Sequence, residues 1–109
     1  MPLTAPDHRS EFFQTSAVLL HALSNSSRIH ILTILCEEET SVGSLSNRVG
    51  LSQSALSQHL SKLRDVHLVK TRRDAQTIFY RCESTAVLKI LGTLSAFFSE
   101  EDATVSQAA

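Results

Sequence analysis

The side chains with the clearest chemical capacity lie between Ser52 and Arg64, in the stretch SQSALSQHLSKLR. Gln53 and Gln58 each carry an amide that donates and accepts at once. That pair of functions matches an adenine edge through two hydrogen bonds. Ser54, Ser57 and Ser61 add short hydroxyls, and no acid interrupts the stretch. Surface helices ordinarily carry charge on their solvent side. A face of amides and small hydroxyls instead suits close approach to a polar, finely spaced partner, and the base edges and phosphates of DNA fit that description. His59 lies off the main polar face and suits the DNA backbone. Lys62 and Arg64 suit phosphates or internal ion pairs. Further along, Arg72 and Arg73 would add phosphate affinity that falls with salt.

These residues need a helix beneath them. Leu56, Leu60 and Leu63 recur at i, i+4 and i+7, one apolar stripe of an α-helix. Ser52 can cap it and Gly50 can stop a short helix before it, over part of residues 40–50. Two short helices joined across Gly50 form a helix-turn-helix, with the second in the reading position. After Asp65 the period changes. HLVKTRR and TIFYRC alternate apolar and polar residues around Asp74-Ala75-Gln76, which predicts a hairpin wing carrying Arg72 and Arg73.

The flanks read as helices. Ser10 is suited to cap a first helix from about Glu11, with Phe12, Leu19, Leu20 and Leu23 on one side. Ile29, Ile31, Leu32, Ile34, Leu35 and Cys36 predict a second, central helix over residues 27–37. Glu37, Glu38 and Glu39 mark its solvated end. Val87, Ile90, Leu91, Leu94, Phe97 and Phe98 predict an amphipathic last helix from about Ser84 to Glu100. Gly92 within it costs ~1 kcal/mol relative to Ala, which points to close packing. The fold class is mainly α with a small β-hairpin: a winged helix-turn-helix domain over residues 10–100, between a flexible arm at 1–9 and a flexible tail at 101–109.

At 109 residues, one domain is expected. The net charge of −1 is uninformative, but its distribution is not. Residues 48–81 hold seven Lys or Arg against two Asp, a basic centre between acidic ends. The terminal helices carry more apolar stripe than one small core can cover, so a dimer is expected. No secretory signal or membrane-length apolar run is visible, so a cytoplasmic protein with reduced thiols is expected, with no membrane partner. With three glycines, no phosphate-cradling loop and no catalytic grouping, an enzyme is not expected. A protein-interaction module would use the same helices, but the basic wing and acid-free helix face argue for DNA.

ALSNSSRIHILTIL, SVGSLSNRVGLSQSALSQHLSKLR and LVKTRRDAQTIFYR together resemble the ArsR/SmtB family of bacterial winged-helix repressors, over about residues 18–98. The resemblance implies a homodimer built through the first and last helices, here Phe12, Leu19, Leu20, Leu91, Leu94 and Phe98. It also implies binding to an inverted-repeat operator in double-stranded DNA and repression of transcription. Many members sense metals. The family's cysteine pattern at the start of the third helix is replaced here by Ser41-Val42-Gly43-Ser44, and the last helix has no His. His8, His21, His30, His59 and His67 form no ligand cluster, so no metal cofactor is expected. Thiol-sensing relatives place cysteines nearer Thr33 and Ser99 of this chain. Cys36 and Cys82 sit elsewhere, and a thiol-responsive repressor using them is the alternative. Cys36 reads as a core residue and Cys82 as an exposed hairpin end. Any small-molecule inducer is left open.

Overall fold

The computed structural model describes residues 6–100. Its elements are α1 (Pro6–Ala22), α2 (Ser26–Glu37), β1 (Thr40–Ser41), α3 (Val42–Val49), α4 (Gln53–Asp65), β2 (Lys70–Asp74), β3 (Thr77–Arg81) and α5 (Thr85–Glu100). This is a winged helix-turn-helix, mainly α with a small sheet. One boundary moves. α1 begins at Pro6 rather than at a Ser10 cap, so residues 6–9 belong to the helix and not to an arm. Proline tolerates a first helical turn because its missing N–H would have been unpaired there. The rest of the arm expected at 1–9, and the tail expected at 101–109, lie outside the described residues.

Each helix near the reading face starts on a side-chain cap. Asn25 Oδ1 accepts from the Arg28 N–H at 3.0 Å, Ser41 Oγ from Ser44 and Ser52 Oγ from Ala55, both at 3.2 Å. These caps satisfy donors that a helix start leaves without partners. α3 stops at Gly50, which is left-handed at φ 70°. The Gly50 and Leu51 N–H groups both reach the Ser46 carbonyl, at 3.0 and 3.2 Å. Ser46 Oγ in turn donates to the Leu51 carbonyl, and Ser46 is buried. The turn before α4 is thus held from both sides by one serine.

α2 runs through the centre of the core. Ile31, Leu32 and Leu35 are sealed against Leu45 of α3, the Leu56, Leu60 and Leu63 stripe of α4, and Val87 of α5. Burying each such side chain stabilises the fold by roughly 1.5–3 kcal/mol before entropy is counted. The predicted hairpin is part of a three-stranded antiparallel sheet in the order β1-β3-β2. Thr40 pairs with Tyr80, and Arg72 with Phe79. The short strand β1 therefore ties the wing to the start of α3. The hairpin turns at Ala75-Gln76 after the Asp74–Thr77 pair, with Ala75 at φ 58°.

Outside this core, the outer faces of α1 and α5 are uncovered. Phe12, Phe13, Val18 and Leu20 on α1 are exposed, as are Leu88, Leu94, Phe97 and Phe98 on α5. Leu19 and Leu91 are half-buried against the chain's own core. The close packing expected of Gly92 is not found within the chain, where a Cβ at that position meets nothing within 4 Å.

Candidate nucleic-acid interface

α4 divides its residues by helical geometry. Leu56, Leu60 and Leu63 point into the core, which turns Ser54, Ser57, Gln58 and Ser61 to solvent. Gln53 is exposed as well. It does not share the outward face with Gln58, because five residues rotate a helix by ~140° relative to the start. Gln53 and Ser57 instead line a cleft of about 520 Å³ between α4 and the wing, with Ser41, Gln76 and Thr77 on the other walls. The two glutamines thus occupy different surfaces: Gln58 looks outward and Gln53 looks toward the hairpin. Lys62, Arg64 and the final residue, Asp65, are exposed.

The wing's charges are partly spoken for. Glu39 accepts from Arg72 Nε through both carboxylate oxygens, and the Arg72 guanidinium also lies 4.6 Å from the Phe79 ring centroid. The Glu39 carboxylate raises the Arg72 pKa above its ordinary value. Arg81 approaches Glu39 at 3.8 Å and binds Glu83 at 2.7 Å, and Lys70 binds Glu83 at 3.2 Å. Glu83 is held below the usual carboxylate range by Arg81 and then Lys70. Arg48 pairs with Glu38 at 3.1 Å. The acidic run at 37–39 is therefore not simply a solvated end, since Glu38 and Glu39 neutralise neighbouring cations. Arg72 and Arg73 are both exposed, but Arg72 is tied into this network, whereas Arg73 takes no ion pair among the described residues. Lys62 and Arg64 are likewise without a carboxylate there.

His59 is half-buried on the flank of α4 rather than on its outward face. Its Nδ1 lies 3.5 Å from Nη1 of Arg28. Burial, then the Arg28 and Lys62 cations, push its pKa below the ordinary imidazole value. Arg28 itself is 6% exposed and has no carboxylate partner among the described residues. Neither Arg28 nor Glu39 was marked by composition or motif. Arg28 carried a signal nonetheless: it stands three, four and seven residues before Ile31, Leu32 and Leu35, on the buried stripe of α2.

The two cysteines correct an expectation. Cys82 is buried, not exposed, and lies near enough to Cys36 to influence its titration. The Cys82 N–H donates to the Leu35 carbonyl at 3.1 Å, which brings the end of β3 onto the end of α2. Burial first, then the Cys82 thiol, pushes the Cys36 pKa up to about 12. A thiol held protonated is a weak nucleophile. Among the described residues no three His, Cys, Asp or Glu side chains stand where they could hold a metal ion.

A capped reading helix behind a short helix, with a hairpin beside it, defines a winged helix-turn-helix DNA-binding module. Residues 25–71 match the family model described as "Bacterial regulatory protein, arsR family". The chain is 52% identical over 102 residues to the nodulation protein NolR of Rhizobium meliloti, covering 94% of this chain and 84% of that protein. It is 46% identical over 99 residues to the transcriptional activator HlyU of Vibrio cholerae, covering 88% and 92%. The crystal structure of NolR from Sinorhizobium fredii superposes with a TM-score of 0.79 at 53% identity, covering 90% of this chain and 97% of that one. The chain belongs to the ArsR family of bacterial transcriptional regulators, and its relatives in these comparisons are regulators rather than enzymes. No helix among the described residues is long and apolar enough to cross a membrane.

Proposed function

We propose that this protein is a homodimeric, sequence-specific repressor, cytoplasmic and free of a metal cofactor, that binds an inverted-repeat operator in double-stranded DNA. The observation that carries the reading is the outward face of α4. Ser54, Ser57, Gln58 and Ser61 are exposed there, and every large apolar residue of the helix is turned away. α4 enters the major groove with Gln58 on the base edges and Gln53 at the mouth of the cleft toward the wing. Ser54, Ser57 and Lys62 seat the helix on phosphates, and Arg73 rather than Arg72 leads the wing's backbone contact. Dimerisation through Phe12, Leu19, Leu20, Leu91, Leu94 and Phe98 is supported by the exposed apolar faces of α1 and α5. Apolar surface on that scale, on a small chain, calls for a partner. A two-fold axis would set the two α4 helices ~34–36 Å apart, one turn of DNA. Similarity to NolR supports a role as a global or nodulation regulator.

Selection of bound sequences from random duplexes, followed by affinity measurements across a salt series, tests the proposal. It predicts a palindromic consensus and an affinity that falls steeply with salt. Gln58→Ala relaxes base preference at one position of each half-site, and so does Gln53→Ala at another, with nonspecific binding kept. Equal losses on operator and random duplex would reassign the glutamine concerned to positioning. Genome-wide mapping of bound sites tests the nodulation role.

A thiol-responsive repressor is the second reading, favoured by the proximity of Cys82 to Cys36 where β3 ends against α2. It requires a peroxide or another two-electron oxidant to convert the pair to a disulfide, the peroxide being reduced to water or alcohol. The protonated state of Cys36 opposes it. Oxidant-induced release from the operator, lost in Cys36→Ser with Cys82→Ser, would put this reading first.

A further inference from the structure

Arg28 touches two elements that the proposed function assigns to different tasks. Its Nε donates to the Ala22 carbonyl at 2.8 Å, and Nη2 donates to the His21 carbonyl at 3.1 Å. Both carbonyls belong to the last turn of α1, where helix geometry leaves acceptors without intrahelical partners and the helix dipole favours a cation. The remaining nitrogen, Nη1, reaches across to Nδ1 of His59 on α4. Among the described residues no carboxylate neutralises this buried guanidinium. Its fixed geometry is therefore set by the two carbonyls on one side and the imidazole on the other.

A guanidinium has donors and no acceptor. An imidazole nitrogen facing it is the lone-pair nitrogen, so the proton of a neutral ring sits on the other nitrogen. The charges facing His59 are both positive, Arg28 from α2 and Lys62 from its own helix, and after burial they push the ring's pKa further below its ordinary value. The carboxylate of Asp65 lines the same hollow as Arg28 and Lys62, at the far end of α4.

We propose that Arg28 is a positioning residue for DNA reading, which fixes His59 as an Nδ1 acceptor with its proton on Nε2 and locks α4 to the end of α1. The proposal rests on reading α4 as the DNA-facing helix and α1 as part of the dimer interface. In that setting Arg28 sets the angle between each reading helix and the two-fold axis. It also leaves His59 Nε2–H as a donor suited to a phosphodiester oxygen, an acceptor.

The test has two arms. In the free protein, long-range nitrogen–proton NMR of the imidazoles at neutral pH should show His59 as one tautomer, protonated on Nε2. Arg28→Gln should mix the tautomers and raise the His59 pKa, while Arg28→Lys, which keeps the charge, should leave the ring neutral. A wild-type ring protonated on Nδ1, or a tautomer mixture, would overturn the proposal. The second arm is a double-mutant cycle on operator DNA with Arg28→Lys and His59→Phe, each checked for folding by thermal melting. Each single change should weaken operator binding by about tenfold, and the pair by little more than either, because they break one connection. Multiplicative losses would show that the two residues act separately and would sink the coupling. If neither variant affects operator binding while Gln58→Ala does, α4 is still the reading helix and the role of Arg28 is wrong. If Gln58→Ala also has no effect, the failure lies in the underlying reading.

Discussion

Glu39, just before β1, grips Arg72 of β2 through both carboxylate oxygens, at 2.9 and 3.0 Å from Nε, with β3 lying between the two strands. The wing's most obvious cation is thereby matched by an acid before DNA arrives. The consequence is an asymmetry between two adjacent arginines. Arg73→Ala should lower operator and nonspecific affinity together and flatten the dependence of log affinity on log salt by about 0.9, one phosphate contact. Arg72→Ala should change that slope little. Glu39→Gln should release Arg72 and steepen the slope by a similar increment. Fluorescence anisotropy across a salt series measures all three. A larger slope change for Arg72→Ala than for Arg73→Ala would reverse the assignment.

Gly92 separates the packing of one chain from that of a pair. Within the chain an added Cβ meets nothing, so Gly92→Ala should stabilise α5 by ~1 kcal/mol if no partner comes near. Gly92 is exposed and stands four residues after Leu88, which is 58% exposed, on the uncovered side of α5. The expected outcome is therefore weaker dimerisation, at least several-fold in dissociation constant, with the monomer's helix content kept. Sedimentation equilibrium reads the first and circular dichroism the second. A tighter dimer together with a higher melting temperature would mean that no second helix approaches this face.

The elements were legible in the sequence because their signals are local. The Leu56, Leu60 and Leu63 period marked α4, Gly50 and Ser52 marked its turn, and the alternation around residues 74–76 marked the wing. Contacts between distant residues were not legible. Cys36 and Cys82 come together because β3 packs onto the end of α2, so a spacing of 46 residues and a family pattern that fits neither position left their use as an alternative without showing that they are neighbours. Glu39 looked like a solvated charge because its partner Arg72 comes within reach only when β3 lies between β1 and β2. Gln53 and Gln58 were separable in principle by their rotation about the helix, but the cleft that distinguishes them needs the wing in place.

His67 ends α4 at a conformational cost. Its φ of 63° is left-handed, and its N–H bonds the Arg64 carbonyl at 2.9 Å while the Leu68 N–H reaches the Leu63 carbonyl at 3.0 Å. This pair of bonds is the Schellman arrangement, which favours glycine at the left-handed position. His67→Gly should therefore raise stability by up to about 1 kcal/mol, after allowing for the added freedom of glycine in the unfolded chain. Denaturant unfolding measures it. Since His67 lies beyond the reading face, operator affinity should stay at the wild-type value. A destabilised variant would mean that the imidazole makes a contribution larger than the backbone strain.

Cys36 gives a pH signature with a definite sign. Its pKa is 9.0 ordinarily and about 12 in the fold, so the folded state keeps a proton that the unfolded state has lost over that interval. Proton release from the unfolded chain favours unfolding, so the contribution is complete below about pH 9 and is lost as pH rises toward 12. Many groups titrate in this range, and the comparison with a variant isolates this one. The stability gap between wild type and Cys36→Ala should be constant from neutral pH to about 9 and then narrow. At neutral pH the same protonation should make Cys36 react with iodoacetamide far more slowly than an unfolded control, since the thiolate is the attacking species. A gap that stays constant to high pH, together with rapid alkylation, would mean that the thiol is ionised and available, and would strengthen the redox reading at the expense of the thiol-independent repressor.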